Sequence, residues 1–202
     1  MKRIKLLLPA LLLLAVACKH KPQQPAGNAQ SNEDSLASSS YLPIADFIKN
    51  DIVKVDSFAG GILKKVTTER KKDSAYIQPA QFHQLANQFL LTELDSASFH
   101  GHFTEHSLMD ETTQMLNFIY TAKEPAGSLR SVMVYLQPSL ATDQVKRVYM
   151  ERSFSSGDTA IVQKLTWKMM EYFYVVTIRQ PKNGPAVTSM EKVIWDPQYF
   201  AD

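Results

Sequence analysis

From Thr112 onward, apolar residues recur at every second position in short blocks: Leu116/Phe118/Tyr120, Val132/Val134/Leu136, Val148/Met150, Ile161/Leu165/Trp167, Tyr172/Tyr174/Val176/Ile178 and Val187/Val193/Trp195. A period of two places alternate side chains on one face of a β-strand. Turn-forming groups separate the blocks at Pro125-Ala126-Gly127-Ser128, Ser155-Ser156-Gly157-Asp158 and Lys182-Asn183-Gly184-Pro185. Connections this short join antiparallel neighbours, because parallel strands need crossovers of about a dozen residues or more. This half of the chain is therefore expected to form an antiparallel meander. Ala160 to Gln180 fits the pattern least well, being too long for one strand yet lacking glycine, proline or asparagine to turn on. A tight turn is expected near Lys168 to Glu171. A bent or bulged long strand, or a helix through Met169 and Met170, is the alternative.

Ahead of the meander, Ile44, Phe47, Ile48, Ile52 and Val55 fall on one face of a helix over residues 43–56, with Asp46, Lys49, Asn50 and Lys54 largely opposite. Pro43 suits its first turn. Gly60-Gly61 ends the segment, and residues 62–68 and 75–77 read as short strands around the charged turn Arg70-Lys71-Lys72-Asp73, a solvated hairpin tip. Phe82, Leu85, Ala86, Phe89 and Leu90 predict a second helix from Pro79 to about Leu91. His83 lies beside that stripe and reads as a flanking histidine rather than a ligand. Helix-bearing segments followed by a run of strands point to an α+β fold, with N-terminal helices packed on one face of a curved antiparallel β-sheet; a half-open β-barrel is the alternative. Residues 41–202 are of a size for a single domain around one core.

The first eighteen residues, MKRIKLLLPALLLLAVAC, have a basic start, an apolar run from Leu6 to Val16 and small residues before a cysteine, the pattern of a secretory signal. The run is shorter than the roughly 20 residues a membrane span needs, and Lys19-His20-Lys21 follows it. Leu14-Ala15-Val16-Ala17-Cys18 resembles the lipobox of bacterial lipoproteins, with Ala15 where that family prefers leucine. The resemblance implies removal of residues 1–17 and attachment of diacylglycerol to the sulfur of Cys18, often with a further chain on its amine. Two or more acyl chains anchor a protein stably. Cys18 is the only cysteine, so export brings it no internal disulfide partner. By the same resemblance, Lys19 in place of aspartate favours the outer membrane, and the lack of acidic residues after Cys18 favours the periplasmic side. An ordinary cleaved signal with a chance cysteine is the alternative.

Residues 18–40 are polar, rich in serine, glutamine, asparagine and proline, and cannot offset the entropy of ordering; they are expected to form a lipidated, disordered tether with a reach of roughly 25 Å. The formal charge of +2 falls to −1 once the three basic residues of segment 1–17 are discounted. A near-neutral domain offers no electrostatic footprint for nucleic acid.

Phe99 to His106, FHGHFTEH, holds three of the five histidines, His100, His102 and His106, beside Glu105. A transition-metal site needs three or four converging donors, and Glu105, Asp95 or Asp110 would have to complete this one. No His-Glu-x-x-His pattern accompanies them. The bland reading is a connector in which Gly101 turns the chain and Thr104 caps a short helix through Met109. No Gly-x-Ser-x-Gly elbow, phosphate-binding glycine loop or other cofactor pattern is present. Phe118, Tyr120, Tyr135, Tyr149, Trp167, Tyr172, Tyr174 and Trp195 lie on expected strands, where rings serve mostly as packing partners but can also line a ligand surface. The sequence thus points to a lipid-anchored envelope protein whose domain is a non-enzymatic binding or assembly module, with the membrane and an envelope protein as expected partners and Cys18 as its assigned residue. The alternatives are a metal-assisted hydrolase built on His100, His102 and His106, or a carrier of a hydrophobic ligand.

Overall fold

In the computed structural model, the described residues are 41–57, 60–124, 127–139 and 144–201. The helices are α1 (Ile44–Val55), α2 (Pro79–Ala86) and α3 (Ser96–His102). The strands are β1 (Ile62–Thr68), β2 (Lys72–Ile77), β3 (Phe103–Asp110), β4 (Met115–Ala122), β5 (Leu129–Gln137), β6 (Gln144–Ser156), β7 (Thr159–Lys168), β8 (Tyr172–Pro181) and β9 (Val187–Ile194). Among the described residues these nine strands form one antiparallel sheet in the order β2-β1-β9-β8-β7-β6-β5-β4-β3. The expected meander runs from β4 to β9, the unexpected strand β3 adds beside its first strand, and the N-terminal hairpin β1–β2 adds beside its last. The sheet does not close, so β2 and β3 are left as edges.

In an antiparallel pair, directly opposed residues share a face. The register therefore sorts every strand residue onto one of two faces. One face holds Tyr120, Val132, Val134, Val148, Met150, Leu165, Trp167, Phe173, Val175 and Val193, all buried. Trp167 stacks on Phe173, with centroids 5.1 Å apart, and meets Trp195 at 5.4 Å. Phe82 of α2 lies against Trp167, Phe173 and Trp195, and Phe89, in the 3-10 turn that follows α2, lies against Trp167 and Phe173. For β8 this corrects the alternation read from sequence: Phe173 and Val175 are buried, whereas the block Tyr172/Tyr174/Val176/Ile178 lies on the other face, half-exposed. Aromatic and β-branched residues fill both parities of this strand, so apolar character alone does not reveal its inward set.

Two local expectations also change. The helix predicted to Leu91 stops at Ala86 and continues only as the 3-10 turn Asn87–Phe89. The segment expected as a helix from Thr104 to Met109 is instead strand β3, and Gly101 lies inside α3 rather than at a turn. Strand pairing overrides the capping signal: Thr104 to Asp110 pair in register with Thr121 to Met115 of β4.

The turn between β7 and β8 lies at Met169 to Glu171, with Lys168 opposite Tyr172. Met170 has φ +67°, a left-handed conformation that costs a side-chain-bearing residue about 1–2 kcal/mol. A buried carboxylate holds it. Asp51 Oδ2 accepts hydrogen bonds from Met170 N at 3.0 Å and from Trp167 Nε1 at 2.8 Å. Glycine adopts this conformation without the side-chain penalty, so Met170→Gly is expected to stabilise the protein by about 0.5–1 kcal/mol in chemical denaturation. A loss of stability would show that the Met170 side chain contributes more than its strained backbone costs.

Candidate functional site

The sheet face opposite the buried aromatic cluster is half-exposed and rich in rings and cations. One transverse row runs Tyr135, Arg147, Lys168, Tyr172 across β5 to β8. The Arg147 guanidinium sits 3.8 Å from the centre of the Tyr135 ring, close enough for cation–π attraction. Lys168 Nζ lies 5.5 Å from the Tyr172 ring and makes an ion pair with Glu171 at 2.6 Å. Burial works against the Lys168 charge, but its bonds to Glu171 and Tyr199 outweigh it and raise the pKa of the ammonium.

The next row runs Met133, Tyr149, Thr166, Tyr174, Lys192, Lys65. Lys192 Nζ reaches to 4.5 Å from the centre of the Tyr172 ring. Tyr149 donates to Glu151 Oε2 at 3.1 Å; desolvation, reinforced by that carboxylate, pushes its phenol up to about 12, so it remains a donor at neutral pH. The C-terminal segment touches one end of the face, with Tyr199 edge-on to Tyr172 at 5.4 Å and Phe200 near Tyr76 at 5.9 Å.

Two open hollows sit on this face. One, of about 570 Å³, is lined by Lys65, Lys72 and Lys192 together with Thr67, Ser74 and Asp73. The other, of about 220 Å³, is lined by Lys146, Arg147 and Lys168 beside Tyr135, Thr113 and Asp110. A β-bulge builds the second hollow: Tyr135 pairs with Arg147 but Leu136 pairs with Val145, which leaves Lys146 as the extra residue and brings two cations together at the rim.

The histidine segment does not assemble a site. Among the described residues, no group of three or more His, Cys, Asp or Glu side chains could hold a metal ion. The break between α3 and β3 divides the segment: His100 and His102 end the helix, and His106 is on the strand. His100 packs on Tyr41 with ring centres 3.9 Å apart. Asp110, named above as a possible fourth donor, gives Oδ1 to Thr112 N and Thr113 N and Oδ2 to Thr113 Oγ1, bonds that hold its pKa below the usual carboxylate value. His83 Nε2 sits 2.8 Å from Asp56 Oδ1 on the half-exposed flank of α2. Cys18 and the lipobox lie outside the described residues.

No protein-family model matches the chain, and no curated protein matches its sequence.

Proposed function

We propose that this is a lipid-anchored protein of the bacterial cell envelope, held through Cys18 on the periplasmic side of the outer membrane, whose domain is a non-enzymatic binding or assembly module. One observation carries the second half of this reading: a single open antiparallel sheet presents one face of half-exposed tyrosines and cations while its other face carries the buried aromatic cluster. The contacts of Phe82, Phe89 and Asp51 with the buried face support the finer picture of N-terminal helices seated on that side of a curved sheet. Uncovered edges also suit a module that assembles with others, since an edge strand carries unpaired backbone donors and acceptors. On the edge β3, Leu108 and Met109 are exposed.

The carrier reading would need an apolar cavity between helices and sheet. An open hollow of about 840 Å³ lies beside α1, but Asp51, Lys54, Lys168 and Glu171 line it along with Phe47, Met169 and other apolar residues. The hydrolase reading lacks converging histidines among the described residues. Among the described residues no helix is long and apolar enough to cross a membrane.

Mass spectrometry of the exported protein tests the anchor. The expected N-terminal peptide begins at Cys18 and carries a diacylglycerol thioether. An unmodified N-terminus at any other residue would refute the anchor.

A further inference from the structure

We propose that the free edge of strand β3 pairs with the same edge of a second copy of this chain, an inference that names the partner in the assembly reading above and does not depend on the lipid anchor. Among the described residues nothing pairs with the outer side of β3, the last strand of the sheet. Lys123 N donates to His102 O at 2.8 Å, and β3 and β4 then run without a register shift to Asp110 opposite Met115. Residues of an antiparallel ladder alternate between bonding one neighbour and the other. Thr104, His106, Leu108 and Asp110 therefore bond to β4, while the N–H and C=O of Phe103, Glu105, Ser107 and Met109 point off the sheet. The start of that outer row is capped, because the Tyr41 hydroxyl donates to Phe103 O at 3.1 Å. The stretch from Glu105 to Met109 stays open, and an open row of backbone donors and acceptors is a template for another strand.

The two edges of the sheet differ in chemistry. β2 carries Lys72 and Asp73 beside Arg70 and Lys71 of the turn, charges that oppose edge pairing, and Phe200 meets its Tyr76 ring. β3 instead exposes Leu108 and Met109, with His106 and Asp110 flanking Leu108 on one face. Two identical antiparallel strands pair symmetrically about one residue, and directly opposed residues share a face. Centred on Leu108, the pairing sets Leu108 against Leu108 of the second copy and each His106 against the other copy's Asp110, so that apolar contact is flanked by opposite charges whenever the imidazoles are protonated. Ser107 and Met109 exchange the backbone hydrogen bonds. Thr112 and Thr113 hold the Asp110 carboxylate in place, and its remaining lone pairs can still accept from an imidazole. Glu105 falls opposite Glu111 of the second copy only where the strand has already ended. A pairing centred on His106 would oppose two imidazoles, and one centred on Ser107 would give neither His106 nor Asp110 an opposite charge. The symmetry axis is normal to the sheet, so the tyrosine-and-cation faces of both copies form one continuous surface.

The test is cysteine cross-linking of the full, processed protein, in isolated envelopes and after purification in detergent, read on a non-reducing gel. The native protein, whose only cysteine is Cys18, sets the baseline. Leu108→Cys should yield a disulfide-linked dimer about tenfold above it, since Leu108 centres a non-hydrogen-bonded pair, where opposed side chains lie closest. Ser107→Cys and Met109→Cys, each opposite the other and not itself, should yield far less. Leu108→Lys, with an unchanged melting curve, sets like charges against each other and should weaken the dimer about tenfold in sedimentation equilibrium. Equal yields from Leu108→Cys and from Lys49→Cys on the exposed side of α1 would overturn the proposal, as would a higher yield from Ala75→Cys on β2. So would a Leu108→Cys thiol shielded from a labelling reagent in the monomer, which would place another part of the chain on this edge. A cross-link to a different protein would refute the second copy and leave the assembly reading standing. Cys18 found without lipid would refute the anchor alone, because the baseline already counts its disulfide.

Discussion

Replacing Trp167 with alanine should lower the unfolding free energy by about 4 kcal/mol, the middle of the range for losing a large buried ring. Trp167 is fully buried and touches Phe82, Phe89, Phe173 and Trp195, so no single neighbour can swing in to fill the space it leaves. The substitution also removes the indole donor from Asp51 and leaves a buried carboxylate with one fewer partner. Trp167→Phe separates the two contributions. It keeps much of the ring volume but not the N–H, and should cost about 2 kcal/mol. Urea denaturation of the three proteins decides the matter; equal stability of the alanine variant and the native protein would show that the aromatic cluster is not the core.

Asp51→Ala should cost about 3 kcal/mol. It strands the buried donor Trp167 Nε1 and the part-buried Met170 N, and releases the strained turn at Met170, while relief of carboxylate desolvation offsets part of the loss. Asp51→Asn retains one acceptor and should cost about 1–2 kcal/mol. The pH dependence gives a sharper signature. Burial raises the pKa of Asp51 above the ordinary carboxylate value despite the bonds from Met170 and Trp167, so the folded state binds this proton more tightly than the unfolded chain does. Its contribution is therefore fully present below the unfolded pKa and is lost as pH rises through the raised folded value. The advantage of the native protein over Asp51→Asn should shrink over that window. An advantage that grows with pH would reverse the sign and contradict desolvation as the dominant cause.

The meander was legible because turn residues punctuate an alternating apolar pattern, and even the turn at Met169 to Glu171, which lacks glycine, was placed by strand length. Strand β3 was not legible. Its residues FTEHSLMD alternate poorly because an edge strand buries little; apart from Phe103, its residues are half-exposed or exposed. Asp51 sits on the stripe Ile44, Ile48, Asp51, Val55, and a carboxylate at such an inward position is itself a signal that a buried donor awaits it. Which side chains share a sheet face is not legible for a different reason, since only the register between strands shows that Tyr135, Arg147, Lys168 and Tyr172 form one row. The histidine segment shows the converse, since proximity in sequence placed His100, His102 and His106 across an element boundary rather than around a common point.

Site-specific photocrosslinking in intact cells tests most directly the proposal that the half-exposed sheet face is the working surface of a domain anchored in the envelope. A photoreactive phenylalanine analogue at Tyr149 or Tyr174 should yield adducts with envelope lipid or protein, while the same group at Arg70, in the exposed turn between β1 and β2, should yield none. Adducts from Arg70 alone, or none from Tyr149 and Tyr174, would contradict the assignment of this face.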